Sequence, residues 1–297
     1  SADNTGITAG TAIIDTTGAV ITTGSGALTA TVTRSGGHHA SGDITLVAIS
    51  TAGKVTLNTS GNATVVNAVA LDLGASTVVG NFVATATNGN MTESGVLTIT
   101  GTSAFTTSAD GAAISFNENH AFTGAVTITT NDSLGADSDA TISAGSLKEL
   151  ILAASTIDGD LTVTSSNATG ITQTGVLTVG GTSSFTTSAD GADIDLNSSS
   201  NAFTGAVSLS TTGSGGYAEL SNGSNSLTTG TSSVGGYLTL TSGALALGGT
   251  TVGGALTATA SGAVTDTGVL RVTGAATINA GSNDVTLNNG NTFSGNL

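Results

Sequence analysis

The sequence predicts an all-β protein, a right-handed parallel β-helix (β-solenoid) with coils of about 20–24 residues. Three observations lead to this prediction. The composition is that of β-strands and tight turns, a short unit of alternating apolar and polar residues recurs after glycine, and three longer blocks of the chain resemble one another.

The composition indicates a folded chain made of strands. Among 297 residues there are 44 glycines and no proline, against usual shares of about 7% and about 5%. Only 8% of residues are charged, whereas disordered chains are rich in charge and proline. Threonine and β-branched residues fit a pleated surface. Because proline removes a ladder N–H group, its absence is expected of a backbone that lies almost wholly within sheets.

Three blocks of about fifty residues repeat along the chain. They begin at Ser76, Ser155 and Thr250, and each contains Gly-Val-Leu followed by Phe-Thr-Gly or Phe-Ser-Gly. A shared bias toward glycine and threonine does not produce a match of this length. The blocks therefore indicate a repeat architecture.

Each block contains shorter units that begin at a turn glycine. These glycines are Gly80, Gly101, Gly124, Gly159, Gly181, Gly205, Gly235 and Gly254. Each precedes a segment of alternating residues, so we expect a coil corner at the glycine and a strand after it. A unit this short cannot bury its own apolar face, but stacked units share a continuous interior.

Comparison of the blocks assigns the two faces of the strands. Positions that stay apolar in all three blocks are predicted to point inward: Val78/Ile157/Val252, Phe82/Leu161/Leu256, Ala84/Val163/Ala258, Leu97/Leu177/Leu270 and Ile99/Val179/Val272. Positions that vary toward threonine are predicted to point outward: Val83/Thr162/Thr257 and Thr85/Thr164/Thr259. Arg271 stands at the position of Thr98 and Thr178, between two inward positions. Because a charged side chain is costly in the interior, this position is predicted to point outward.

The solenoid is expected to have two parts. Residues 1–54 would form less regular N-terminal coils, and residues 55–297 the repeat solenoid, open at its C-terminal end. The final Gly-Asn-Leu stops within a unit, so we expect an internal piece of a longer protein. The insertions after Gly124 and Gly205 are the segments whose arrangement the repeat does not predict.

The repeated phrases resemble a known group of proteins. GASTVVGNF, GVLTITGTSAFTTSADG and NAFTGAVSLS are similar to the repeats of filamentous-haemagglutinin-like, β-strand-repeat large bacterial exoproteins and adhesins. The resemblance covers about Val55 to Leu297. It implies export to the bacterial cell surface and service as a stalk that holds a binding tip away from the cell.

Charge and cysteine content exclude several classes of function. The net charge is −15, with Arg34, Lys54, Lys148 and Arg271 as the four basic residues. Nucleic-acid binding and attachment to anionic membranes both need a basic stripe, which these residues cannot form. Without cysteine there are no disulfides and no thiolate metal sites. No apolar run approaches the roughly 20 residues of a membrane-spanning helix.

Catalysis and a cofactor are not expected. Asp193 and Asp195 lie two apart on one outward face, but an enzyme for acidic polysaccharides also needs basic residues near them. Calcium at turn aspartates is the one weak candidate for a cofactor. The aspartates concerned are Asp132, Asp137, Asp139, Asp158 and Asp160. Since their spacing matches no calcium loop, solvated turn aspartates are the favoured interpretation.

The other candidate sites have ordinary explanations. His38, His39 and His120 are interpreted as surface histidines. The Thr-x-Thr pairs, such as Thr239/Thr241, resemble an ice-binding face but are interrupted in the second block. Tyr217 and Tyr237 are the only tyrosines and tryptophan is absent, so stacking platforms for sugars are sparse. Asn-x-Ser/Thr sequences leave glycosylation open.

We therefore expect a structural β-solenoid stalk segment of a secreted or surface-attached bacterial adhesin or exoprotein, and not an enzyme. The first alternative is a subunit of an extracellular filament that polymerises end to end by coil stacking. A carbohydrate-binding or ice-binding solenoid is the lesser alternative. The expected partners are other segments or copies of the same protein, and a host or cell-surface ligand bound by further parts of the protein.

Overall fold

The fold is all-β. A computed structural model describes residues 4–9, 13–14, 21–32, 42–131, 133 and 138–297, and these residues contain strands and turns and no helix. Within that part of the chain, there is accordingly no helical segment able to span a lipid bilayer. The chain divides into two compact units, Ser1–Lys148 and Glu149–Leu297, each of which is described by itself below.

The first unit contains sixteen strands within its described residues. They are β1 (Asn4–Ala9), β2 (Ile13–Ile14), β3 (Ile21–Gly24), β4 (Ala27–Val32), β5 (Ile44–Thr51), β6 (Lys54–Thr59), β7 (Ala63–Asn67), β8 (Leu71–Leu73), β9 (Ser76–Val78), β10 (Phe82–Ala86), β11 (Met91–Glu93), β12 (Leu97–Ile99), β13 (Ser103–Thr107), β14 (Ile114–Phe122), β15 (Val126–Thr129) and β16 (Ala140–Ala144).

The second unit contains twenty-one strands. They are β17 (Leu150–Leu152), β18 (Ser155–Ile157), β19 (Leu161–Ser165), β20 (Gly170–Gln173), β21 (Leu177–Val179), β22 (Ser183–Asp190), β23 (Asp193–Leu196), β24 (Ala202–Phe203), β25 (Val207–Thr212), β26 (Ala218–Ser221), β27 (Leu227–Thr228), β28 (Ser232–Val234), β29 (Leu238–Ser242), β30 (Leu245–Leu247), β31 (Thr250–Val252), β32 (Leu256–Ala260), β33 (Val264–Asp266), β34 (Leu270–Val272), β35 (Ala276–Asn279), β36 (Val285–Thr286) and β37 (Thr292–Phe293).

Strands of the first unit pair in parallel with the strand one coil further along the chain. Ala63, Phe82, Ser103 and Val126 are successive partners in β7, β10, β13 and β15, separated by 19, 21 and 23 residues. Because parallel neighbours need a crossover between them, each coil supplies that connection itself. This pattern is a parallel β-solenoid.

The second unit follows the same rule. Ile194, Ala218, Leu238, Leu256 and Ala276 are successive partners in β23, β26, β29, β32 and β35. Toward residue 297, one coil contributes to three sheets: β29 pairs with β32, β30 with β33, and β31 with β34. The predicted β-solenoid is therefore confirmed in both units.

The interior holds the side chains that the repeat comparison assigned to it. All fifteen inward residues named above are buried. Among the outward positions, Val83 is 40% exposed and Thr162, Thr257 and Arg271 are exposed as well. The alternation of apolar and threonine positions thus follows the pleat of the strands.

Aromatic rings stack inside the first unit. The centroid of the Phe105 ring lies 5.8 Å from that of Phe82, 4.7 Å from that of Phe116 and 5.8 Å from that of Phe122. All three pairs have edge-to-face geometry. Edge-to-face pairs place the positive edge of one ring on the negative face of another. This cluster fills the interior of several adjacent coils.

The corners are held by stacked glycines. The N–H groups of Gly80 and Gly101 donate to the carbonyl oxygens of Gly61 and Gly80, at 2.8 and 3.1 Å. A Cβ atom on Gly124 would lie 2.5 Å from the carbonyl oxygen of Gly101. Successive coils therefore approach too closely at this corner for any side chain, which explains the regular glycines of the repeat.

Candidate functional site

His120 lies in the interior, which corrects its interpretation as a surface histidine. The residue is 1% exposed and stands at the end of β14 beside Phe116 and Phe122. Its Nδ1 accepts a hydrogen bond from the Leu97 N–H at 3.0 Å. Its Nε2 has no partner within the described part of the chain.

Equivalent positions of the other two blocks show what His120 does. Asn201 and Asn291 occupy the same place, and their Oδ1 atoms accept from the N–H groups of Leu177 and Leu270, at 3.0 and 2.8 Å. In all three blocks a polar side chain thus satisfies the N–H of the leucine in Gly-Val-Leu. Because an unpaired buried N–H is costly, His120 has a structural role as an acceptor.

The environment of His120 keeps its ring neutral. Burial disfavours the charged imidazolium and lowers the pKa of His120 to about 4. The neutral ring is the form that can accept from Leu97, since a protonated ring has no free lone pair at Nδ1.

The turn aspartates weighed for calcium that lie within the described residues do not assemble into a metal site. Asp139, Asp158 and Asp160 are exposed, as predicted for turn residues. Asp160 accepts from the Thr182 N–H of the next coil at 2.6 Å, as Asn81 does from Thr102 at 2.9 Å. Among the described residues, no group of three histidine, aspartate or glutamate side chains could hold a metal ion. Asp132, Asp137, His38 and His39 lie outside those residues.

The densest group of chemically distinctive side chains lies on the outward face of β23, β26 and β29 in the second unit. Tyr217 directly precedes β26 and Tyr237 directly precedes β29. Asp193, Asp195, Tyr217, Glu219 and Tyr237 form what we call the tyrosine–carboxylate patch. Register brings them together, because Asp195 is the partner of Glu219, and Ala218 of Leu238.

The two tyrosine rings of the patch stack face to face. Their centroids are 4.6 Å apart and their planes differ by 4°. The Tyr237 hydroxyl donates to Glu219 Oε1 at 3.3 Å, and the Tyr217 N–H donates to Asp193 Oδ1 at 3.0 Å. Tyr237 is 39% exposed, whereas Tyr217 and the three acids are half-buried.

Negative charge dominates the electrostatics of the patch. Burial raises the pKa of Asp193, and burial together with the charge of Glu219 raises the pKa of Asp195. Burial and the nearby charge of Glu219 raise the pKa of Tyr237 to about 12. In the part of the chain that the structure describes, Asp195 Oδ1 is buried and accepts no hydrogen bond. The patch is therefore a set of partly desolvated acceptors beside an aromatic stack, which suits the binding of a donor or a cation.

The patch was predictable only in part. Alternation correctly placed Asp193 and Asp195 on one outward face. Their approach to Glu219 and to the tyrosines was missed. Alignment of GGYAEL with GGYLTL, which begin 20 residues apart at Gly215 and Gly235, is the signal that predicts one tyrosine above the other.

The first unit contains a cleft lined by both apolar and polar residues. This cleft of about 360 Å³ is lined by Ala52, Val69, Ala70, Leu71, Asp72, Asn90 and Thr92. Asp72 Oδ1 is buried there and has no hydrogen-bond partner among the described residues. This cleft has fewer polar side chains than the tyrosine–carboxylate patch.

Comparison with known proteins identifies the repeat. Residues 60–129, 137–210 and 235–297 match a family described as repeats of unknown function (DUF5649). No curated protein and no solved structure matches the chain. Since the three matched segments include more than half of the residues, the chain belongs to the family of repeats of unknown function (DUF5649).

Proposed function

We propose that this chain is a structural spacer, a β-solenoid stalk segment of a secreted or surface-attached bacterial exoprotein or adhesin. The observation that carries the proposal is the repeated interface between coils within each unit. In both units, successive coils share parallel ladders over layers of buried Val, Ile, Leu or Phe side chains, as β10 does with β13 and β29 with β32. A structure of this kind extends by repetition without any new type of contact.

The outward surface supports the same function. Threonine and serine occupy the outward positions of ladders such as Thr162–Ser184–Ser208, and the net charge is −15. Such a surface keeps an extended protein soluble and discourages association between sheet faces. Location at the cell surface rests on the resemblance of the repeats to bacterial exoproteins and adhesins.

Electron microscopy of the purified chain tests the spacer directly. We expect single thin particles, because each unit grows by stacking coils at the roughly 4.8 Å spacing of neighbouring strands. Compact globules would contradict the spacer. Continuous fibres would also contradict it and would favour the filament subunit that polymerises by coil stacking.

Antibody labelling tests the location. An antibody raised against the chain should label intact cells of the producing organism without permeabilisation. Labelling that requires lysis of the cells would overturn the surface location, while leaving the spacer itself to be judged by microscopy.

A further inference from the structure

The tyrosine–carboxylate patch carries more charge than its strands need. Asp193, Asp195 and Glu219 are three acids on two neighbouring strands, and Asp195 and Glu219 are direct register partners. Like charges opposite one another in a sheet are destabilising. At the equivalent sites of the first block stand Ala113 and Ser115, so the fold itself does not require acids here.

No positive charge of the described residues acts on Asp193 or Asp195. None of the causes that shift the pKa of Asp193 or Asp195 is a positive charge. Asp195 Oδ1 remains without a donor within the described residues. The patch therefore offers unmatched negative charge, which an external cationic donor complements.

The tyrosine pair offers a flat surface beside the acids. One face of the Tyr237 ring rests on Tyr217. Ala255 is the next residue in register after Tyr237, because Leu238 pairs with Leu256. Ala255 is exposed and has only a methyl group, and Tyr237 is itself 39% exposed, which leaves ring surface for a planar ligand.

We propose that the tyrosine–carboxylate patch binds an arginine-bearing segment of a basic partner polypeptide. A guanidinium group is planar, stacks on aromatic rings and donates two parallel hydrogen bonds to a carboxylate. Tyr237 supplies the ring face, and Glu219, whose Oε1 lies 3.3 Å from the Tyr237 hydroxyl, supplies the nearest acceptor. Asp193 and Asp195 add the charge that attracts the segment.

The partner is a different protein. This chain has four basic residues and a net charge of −15, so a second copy would bring repulsion to the patch. A metal ion is not the favoured ligand either, because no metal-holding group of side chains occurs in the described residues.

Tyrosine fluorescence gives a reading of this site alone. The chain contains two tyrosines, both in the patch, and no tryptophan. Titration of the full chain with a tetra-arginine peptide should therefore change the fluorescence and reach saturation. Because an ammonium group lacks the planar fork, a tetra-lysine peptide should bind several-fold more weakly.

Matched variants separate the site from general charge attraction. Glu219→Gln should weaken tetra-arginine binding by about tenfold, and Tyr237→Thr, read through Tyr217, by a similar factor. Glu118→Gln removes the same charge from an exposed position of the first unit and should change the affinity by less than about twofold. Circular dichroism and thermal melting confirm that each variant is folded.

Four outcomes would overturn the proposal. They are the absence of saturable binding, an equal loss of affinity in Glu219→Gln and Glu118→Gln, equal binding of the two peptides, and saturation by a neutral oligosaccharide or by calcium in place of the peptide. None of these outcomes bears on the spacer function, which the shape of the particles tests separately.

Discussion

At the scale of single residues, His120 shows how strictly the interior limits the choice of polar groups. A side chain at this position must accept a hydrogen bond from the leucine N–H of the repeat. Asparagine does so in the other two blocks and also donates, as Asn201 does to Leu196 O and Ser221 O. Histidine leaves its second nitrogen without a partner among the described residues.

His120 should make the stability of the chain depend on pH. The pKa of His120 falls from an unfolded value of 6.5 to about 4 in the fold. Below pH 6.5 the His120 ring binds a proton in the unfolded chain but not in the folded chain. The stability of the fold therefore decreases as the pH falls, until the pH reaches about 4. The loss is on the order of 3 kcal/mol.

Denaturant unfolding of the wild type and of His120→Asn measures this effect. The variant restores the asparagine of the other blocks, and its stability should change less over the same pH window. Equal pH profiles for the two proteins would show that His120 is not the group responsible.

Asp195 should destabilise the fold at neutral pH. The pKa of Asp195 is raised by burial and by Glu219, so the folded chain disfavours the ionised carboxylate more than the unfolded chain does. This penalty is fully present above the folded pKa and disappears below the unfolded pKa. Asp195→Asn should therefore raise stability at about pH 7, by at most about 1 kcal/mol because solvent screens the charges, and by almost nothing at about pH 3.

The exposed Asp284 provides the control for that substitution. Asp284→Asn removes one charge without relieving a register pair of acids. A gain of the same size in both variants would mean that the net charge, and not the patch, sets the stability.

At the scale of elements, the strands and their two faces were predictable because each coil repeats the same alternation. Val78, Ile157 and Val252 occupy the same inward-pointing strand position of the three blocks, and all three are buried. What could not be predicted is side-chain chemistry that depends on which residues meet across coils. His120 and Leu97, which are joined by a hydrogen bond, can be recognised as neighbours only when the length of the intervening coil is known.

The corner glycines should be the least replaceable residues of the coil. A Cβ atom on Gly254 would lie 2.8 Å from the carbonyl of Gly236 and 3.0 Å from the Tyr237 N atom. Both neighbours are backbone, so the coils must separate. Gly254→Ala should lower the free energy of unfolding by roughly 1 to 3 kcal/mol, measured by denaturant unfolding.

Gly249→Ala is the matched control for the corner. A Cβ atom on Gly249 meets nothing within 4 Å, so alanine there should leave stability unchanged or raise it by up to about 1 kcal/mol. If both alanines had the same effect, close approach of the coils would not be the reason for the glycines.

At the scale of the whole molecule, repetition and specialisation occupy different parts of each coil. Inward positions and corners recur with little change, as the glycine series and the buried apolar ladders show. The tyrosine–carboxylate patch departs from the threonine pattern at outward positions alone. A binding surface can therefore vary on such a scaffold without disturbing the packing that supports it.

The parallel ladders also determine how the chain can fold. Partner residues such as Phe82 and Ser103, or Leu238 and Leu256, lie about one coil apart in sequence. These strands therefore pair with segments that are close to them in the chain. Proteins with such local contacts have low contact order and fold by growth from a nucleus. Each finished coil presents the next one with a ready template, and the chain can acquire its structure progressively, in the order in which its residues become free to fold.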